Sequence, residues 1–171
     1  MTWKDVPSVN AGVDVLTAAM WNTYVRDNLH HLRHQTETAA ALRNTSQTIN
    51  NATVTAVSFT IELWDNANMW QSPKPTRFFA PTDGRYLFTA TVSFQANATG
   101  VRTVWLRASN AGGVSFGIHR QNATSSDTPT ICCSGLVWLD ADDYVEVYVE
   151  QNSGDSLDVW WARAGLVRVG G

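Results

Sequence analysis

The sequence predicts a mainly β protein, an antiparallel sandwich of about eight strands preceded by an extended N-terminal arm and one helix. From Val54 onward, apolar and polar residues alternate with a period of two, which is typical of strands. Clusters rich in Gly, Asn, Asp and Pro interrupt this alternation at roughly ten-residue intervals. Before residue 45, apolar residues instead recur at spacings of three, four and five, as on one face of a helix.

The composition narrows the range of partners. Charged residues make up 16% of the 171-residue chain, below the roughly 25% usual in soluble domains, so we expect much of the surface to contact other protein. The net charge is −3 and the basic residues are scattered, which argues against nucleic acid and anionic membranes as partners. No basic and apolar leader opens the sequence and no apolar run approaches about 18 residues, so we expect a soluble protein made in the cytoplasm.

The N-terminal region, residues 1–48, is predicted to differ from the sandwich of residues 49–171. Met1–Gly12 is predicted to be an extended arm with few apolar side chains. A helix is predicted to begin at Thr17, which can cap it, and the pattern lets the helix continue through Thr38–Leu42 and end at Asn44–Ser46. Its apolar stripe consists of Met20, Trp21, Tyr24, Val25, Leu29 and Leu32. Two packings stay open for this stripe: against the chain's own β domain, or against other copies or a larger particle.

The strands of the sandwich are predicted from the alternating segments. These are Val54–Trp64, Arg85–Gln95, Thr103–Ser109, Val114–Arg120, Thr130–Leu139, Tyr144–Gln151 and Leu157–Val169. Turn clusters separate them, as in Asn97–Gly100 and Asp140–Asp143, and no helical pattern intervenes. This arrangement predicts a sandwich, and the period alone fits both immunoglobulin-like and jelly-roll connections.

Three segments decide between these connections because they resemble the tumour-necrosis-factor and complement-head family. Phe79–Phe88 resembles the family pattern F-x-P-x-x-G-x-Y-x-F, and Ser134–Val147 resembles S-G-x-x-x-L-x-x-G-D-x-V-x-V. Ala164–Val169 resembles the small, apolar final strand. Asp142 stands where the family usually has glycine, so we expect a turn that holds an aspartate in the left-handed region.

The resemblance implies a jelly roll that assembles into a homotrimer through aromatic and aliphatic faces. Eight tryptophans, four tyrosines and six phenylalanines fit such an interface, although a single aromatic-rich core would also use them. The residues expected in the core or at the threefold contacts are Phe79, Tyr86, Phe88, Trp138, Tyr144, Val145, Val147 and Leu166.

The N-terminal stretch resembles a second group of proteins. Gly12–Leu29 is similar to the signature G-x-x-L-T-A-A-x-x-N-x-x-x-R-D-N-L at the start of many phage structural proteins. The resemblance implies a segment that docks on a virion. The expected docking residues are Trp3, Val6, Trp21, Tyr24, Val25, Arg26, Asp27, Asn28 and Leu29.

Chemical sites are sparse in the sequence. Cys132 and Cys133 are neighbours, so a bridge between them would be strained, and we expect two reduced thiols. His30 and His34 lie one helical turn apart without an acidic partner, and the aspartates of Asp140–Asp143 lack the spacing of a calcium loop, so no metal site is predicted. No nucleophile elbow, phosphate loop or paired carboxylates occur, which predicts a non-enzymatic protein without a cofactor.

Two functions follow from these resemblances. The first is a homotrimeric capsid decoration protein at the virion surface, which binds the major capsid protein and stabilises the shell. The alternative is a tail-tip or tail-fibre protein that recognises host-surface glycans. Its candidate sugar-stacking residues are Trp64, Trp70, Trp160 and Trp161. The sequence does not distinguish head from tail.

Overall fold

The computed structural model describes residues 17–26, 29, 37–123 and 128–170. The chain divides into two units, Met1–Thr36 and Glu37–Gly171. The predicted boundary after residue 48 therefore falls inside the second unit, within one of its strands.

The described part of the first unit is helical. A short helix α1, Ala18–Met20, continues directly into a π-helical segment, Trp21–Arg26. The predicted cap is confirmed, because the backbone N–H of Met20 donates to Thr17 Oγ1 at 3.1 Å. No residue of these two segments is buried, and Trp21 is 50% exposed.

The second unit is a sandwich of antiparallel strands. Within the described residues the strands are β1 (Thr38–Arg43), β2 (Gln47–Ile49), β3 (Thr55–Ala56), β4 (Ile61–Asp65), β5 (Arg77–Phe79), β6 (Gly84–Phe94), β7 (Val101–Ala108), β8 (Ser115–Asn122), β9 (Thr130–Leu139), β10 (Tyr144–Gln151) and β11 (Leu157–Gly170). One sheet has six strands in the order β4-β1-β11-β6-β9, with β2 also paired to β11. The other has five in the order β3-β10-β7-β8, with β5 paired to β10.

The predicted continuation of the helix through Thr38–Leu42 is wrong, because these residues form β1. The Thr38–Arg43 segment lies between β11 and β4 and pairs with both. Its alanines have high helix propensity, but Ala39 and Ala41 point into the core while Ala40 points the other way. Strand pairing on both edges of β1 outweighs the helix propensity of these alanines, which amounts to about 0.5 kcal/mol per residue or less.

The predicted strand Val54–Trp64 is divided between the two sheets. Thr55–Ala56 pairs with β10 in the five-stranded sheet, whereas Ile61–Asp65 pairs with β1 in the six-stranded sheet. The intervening Val57 and Phe59 are buried between the sheets. The predictions for β6 to β11 are confirmed with ends within two residues, and β1, β2 and β5 were missed.

The core fills the space between the sheets with aliphatic and aromatic side chains. The ring of Phe78 contacts Phe59 and Phe88, with centroids 5.5 and 5.2 Å apart. The turn before β10 has the predicted form: Asp142 has φ of 69°, and its N–H donates to the carbonyl of Ala80 at 2.9 Å.

Candidate assembly interface

The outward side of the six-stranded sheet carries several large apolar side chains that the sandwich leaves exposed. Residues next to the core residues of β1, β6, β9 and β11 alternate to this side. We call it the open face. It is formed by Thr38, Ala40, Leu42, Ile61, Trp64, Leu87, Thr89, Thr91, Cys132, Ser134, Leu136, Trp138, Arg163, Gly165 and Val167.

A depression lies in the middle of the open face. Ala40 and Gly165 pair across β1 and β11 and form its floor, because neither carries a long side chain. A Cβ added at Gly165 would lie 3.3 Å from the carbonyl oxygen of Ala39, so the strands approach closely here. Trp64 forms one wall, with the Arg163 guanidinium 5.2 Å from its ring centroid. The depression has a volume of about 310 Å³.

Large apolar side chains project at both margins of this face. On the β4 margin, Trp64 is 47% exposed beside the exposed Ile61 and Leu63. On the β9 margin, Leu136 is 65% and Trp138 46% exposed. Ile118 is exposed on β8, which runs alongside β9, since His119 Nδ1 lies 3.0 Å from the Cys132 carbonyl. Single exposed apolar residues are ordinary, whereas contiguous groups such as these mark interaction surfaces.

The outward side of the five-stranded sheet differs, because it carries a cluster of polar groups that partner each other around Glu146. Glu146, only 7% exposed, accepts hydrogen bonds from Thr76 Oγ1 at 2.6 Å and from the Tyr148 hydroxyl at 2.9 Å. It also pairs with Arg77 Nε at 3.3 Å. Burial, together with the hydrogen bond to Glu146, raises the pKa of the Tyr148 phenol. The Glu146 carboxylate therefore needs no second chain to satisfy it.

The residues predicted for the core or the threefold contacts fall into three places. Five are buried in the core of a single chain: Tyr86, Phe88, Val145, Val147 and Leu166. Phe79 and Tyr144 pair on the outward side of the five-stranded sheet, with centroids 5.6 Å apart. Trp138 lies on the open face, where its Nε1 donates to Asp140 Oδ1 at 3.0 Å. One protomer's core thus accounts for most of this set.

The residues that build the open face were mostly missed by sequence reasoning. Strand β9 carried the signal, because Ile131, Cys133 and Leu139 alternate with a second apolar series, Leu136 and Trp138. A strand that is apolar on both faces is typical of one covered on both sides.

The predicted docking residues lie in the first unit, which is described by itself. Tyr24 and Val25 are partly exposed, and Trp21, Arg26 and Leu29 are exposed. Trp3, Val6, Asp27 and Asn28 lie outside the described residues, as do His30 and His34.

The chemical groups considered from the sequence have ordinary surroundings. Cys132 and Cys133 are both free thiols. Burial of Cys133, and secondly electrostatic repulsion from Cys132, raise the pKa of Cys133 to about 12. Across the described ranges, no group of three or more His, Cys, Asp or Glu is placed to hold a metal ion. No helix in the described part of the chain is both long and apolar enough to cross a membrane.

The four tryptophans proposed for sugar stacking differ in exposure. Trp70 is buried, and its Nε1 donates to the Pro75 carbonyl at 3.2 Å, so Trp70 offers no surface to a ligand. Trp64 lies on the open face, while Trp160 is half exposed and Trp161 partly exposed at a bulge in β11.

Comparison with known proteins shows the fold. No protein-family model and no curated protein matches the chain. Among solved structures, the globular domain of zebrafish complement 1qA protein is 19% identical and superposes with a TM-score of 0.61 over 78% of this chain and 97% of that one. Murine APRIL at pH 5.0 is 13% identical, with a TM-score of 0.62 over 79% of this chain and 100% of that one. The predicted jelly roll of the complement-head and tumour-necrosis-factor type is confirmed.

Proposed function

We propose that this chain is a non-enzymatic structural protein that forms homotrimers through its open face and decorates the outside of a phage capsid. The observation that carries the proposal is the open face, with Leu136 65% exposed on one margin and Trp64 47% exposed on the other. Leaving such groups in water is costly, since apolar burial contributes roughly 25 cal/mol per Å².

The shape of the open face is compatible with a closed ring of subunits. The depression floored by Ala40 and Gly165 is lined by residues of β1, β4, β6 and β11, whereas Leu136 and Ile118 project from β9 and β8, so one chain's projections would enter the next chain's depression. Contacts between two different surface patches of the same chain generate rings. The number three comes from the family that the sequence segments resemble.

The docking role is supported by the first unit. Its sequence from Gly12 to Leu29 is similar to the start of phage structural proteins, and Trp21 and Leu29 leave apolar surface exposed in this unit. A segment of this kind can bind the major capsid protein. Because the decoration protein binds the assembled shell only, binding stabilises the shell against internal pressure by mass action.

Immunogold labelling of intact particles of the source phage tests this placement. Gold spread over the head is the expected result. The protein lacking residues 1–33 should remain trimeric by light scattering and lose binding to undecorated capsids, with the full chain as the matched control. Gold absent from the head, or undiminished capsid binding by the shortened protein, would contradict the proposal.

Receptor binding at the tail is the second candidate function. It is favoured by Trp160, which is half exposed next to Trp161 where the β11 bulge shifts the register. Exposed aromatic rings of this kind suit stacking on sugars. Gold confined to the tail end, together with adsorption of the purified protein to host cells, would support this function over decoration.

A further inference from the structure

A cavity lies on the outward side of the five-stranded sheet, and its lining residues are distant in sequence from the N-terminal segment Gly12–Leu29. Its volume is about 300 Å³. The lining residues that matter here are Arg77, Arg107, Gly113, Tyr144, Glu146 and Tyr148. We call it the arginine cavity. Two cationic and two phenolic side chains around one carboxylate make its chemistry unlike that of the open face.

The two arginines of this cavity have different surroundings. Arg77 pairs with the Glu146 carboxylate at 3.3 Å, and its guanidinium carbon lies 4.2 Å from the Tyr144 ring centroid. Glu146 accepts two further hydrogen bonds, so its negative charge is already engaged by three donors. The carboxylate of this cavity therefore compensates Arg77 and leaves the second arginine uncompensated.

Arg107 is held in place without an acidic partner. It forms neither an ion pair nor a side-chain hydrogen bond with any residue in the described part of the chain. Its guanidinium carbon lies 5.7 Å from the Tyr148 ring centroid. On another side it lies against Gly113, where an added Cβ would come within 2.6 Å of Arg107 Nε. Gly113 has φ of 92°, so glycine supplies both the space and the backbone conformation.

We propose that the arginine cavity binds an acidic sugar, with the Arg107 guanidinium pairing with the sugar's carboxylate. The charges of Arg77, Arg107 and Glu146 leave one net positive charge, which matches a monoanion better than a dianion. The volume of about 300 Å³ is at the small end for ligand sites and suits one sugar unit. A guanidinium fork binds a carboxylate through two parallel hydrogen bonds.

Aromatic side chains beside the cavity favour a sugar over a simple anion. Trp105 stacks beside Tyr148, with centroids 5.8 Å apart and ring planes within 18°. This pair places apolar aromatic surface next to Arg107, where the C–H face of a sugar ring can contact it. The site lies within one protomer and uses none of the tryptophans considered above for glycan binding, so it depends on neither the trimer nor the capsid.

Binding of glucuronate, N-acetylneuraminate, glucose and inorganic phosphate to the full chain tests the proposal, by calorimetry and saturation-transfer NMR at low salt. We expect both acidic sugars to bind with a Kd of about 1 mM or lower and glucose not to bind. Binding should weaken as salt is added, because Arg107 is exposed.

Substitutions of Arg107 distinguish bidentate hydrogen bonding by its guanidinium from a general effect of its positive charge. Arg107→Ala should weaken glucuronate binding at least about tenfold, and Arg107→Lys should lie between, because lysine keeps the charge without the fork. The matched control is Arg120→Ala, which removes an exposed arginine of β8 that does not line the arginine cavity and should leave binding unchanged. Equal binding of glucose and glucuronate, undiminished binding by Arg107→Ala, or phosphate binding as tight as glucuronate would overturn the proposal.

Discussion

The hydroxyl of Tyr86 lies 2.9 Å from Glu37 Oε2 and 2.7 Å from the Thr82 carbonyl oxygen. Tyr86 is fully buried in β6, and Glu37 is the residue immediately before β1. The Glu37 backbone carbonyl also accepts the N–H of Arg168 in β11 at 2.9 Å. Glu37 thus fixes the start of the sandwich to two strands of the six-stranded sheet.

Removing the Tyr86 hydroxyl should destabilise the sandwich without opening a cavity. Tyr86→Phe is expected to lower the free energy of unfolding by about 1–2 kcal/mol, since it removes a part-buried hydroxyl donor from the Glu37 carboxylate and the Thr82 carbonyl. Urea denaturation measures the change. Tyr144→Phe is the matched control, because the Tyr144 hydroxyl forms no hydrogen bond with the described residues and lies on the sheet surface. Equal losses in the two variants would contradict the role given to the Tyr86 hydroxyl.

Alkaline pH should unfold the protein through the same tyrosine. Burial raises the pKa of Tyr86 above its ordinary value of 10.0, so the folded state keeps the phenol protonated where the unfolded state releases the proton. Stability from this group is complete below pH 10 and is lost as pH rises toward the folded-state pKa. Tyr148 and Cys133 act in the same direction.

Measuring the free energy of unfolding at several pH values from about 8 to about 11 checks this expectation, because this range spans the ordinary tyrosine pKa. It should decline across the upper part of that range, and the decline should be shallower in Tyr86→Phe. A flat profile, or a profile unchanged by the substitution, would contradict it.

The sequence predicted the long strands well because one face of each is consistently apolar. In β6, Tyr86, Phe88, Ala90, Val92 and Phe94 alternate into the core without interruption. Local patterns failed where small or mixed side chains carry little information. The alanines of β1 read as helix, and Val54–Trp64 read as one strand although it passes from one sheet to the other.

The candidate sites were harder to foresee because they depend on register between distant strands. Trp64 and Gly165 are 101 positions apart and border one depression only because both flank Ala40. Arg107 and Tyr148 meet only through the pairing of β7 with β10. A period of two reveals which residues share a face of one strand, but it does not reveal the neighbouring strand.

Arg102 should stabilise the fold because its planar guanidinium donates two hydrogen bonds in a fixed geometry, and not only because it carries a charge. It is fully buried, and its guanidinium donates to the carbonyls of Thr99 at 2.9 Å and Asn97 at 3.2 Å. Burial lowers its pKa, and no carboxylate among the described residues pairs with it. Arg102→Lys should cost about 2–3 kcal/mol, because a single ammonium cannot reach both carbonyls.

Chemical denaturation of this variant beside Arg120→Lys provides the comparison. Arg120 lies exposed on the adjacent strand β8, so its replacement should change stability by less than about 0.5 kcal/mol. Similar effects of the two substitutions would show that the carbonyl contacts of Arg102 contribute little.

Gly117 is expected to control the closure of the sandwich between β8 and β9. It has φ of 60°, and an added Cβ would lie 2.8 Å from the Ser134 carbonyl oxygen. Gly117→Ala should therefore combine backbone strain with a clash and destabilise by about 2–3 kcal/mol. Gly154→Ala is the matched control, since Gly154 has φ of 98° and no atom within 4 Å of an added Cβ. Thermal unfolding of both variants separates the clash from the strain, and equal losses would assign the whole effect to backbone strain.

Assembly through the open face predicts that charge on its margin will separate the subunits while leaving each fold intact. Leu136→Asp places a carboxylate where Leu136 is 65% exposed, so the isolated chain should tolerate it. In an assembly the same carboxylate would be buried without a partner, at a cost of several kcal/mol, on the order of 3 or more. Light scattering should show a mass three times that of one chain for the unchanged protein and that of one chain for the variant.

Val54→Asp is the matched control, because Val54 is similarly exposed but lies outside the open face, and it should stay trimeric. If the unchanged protein is monomeric, the proposed trimer is wrong. If the Leu136→Asp variant stays trimeric, the interface lies on another face of the sandwich.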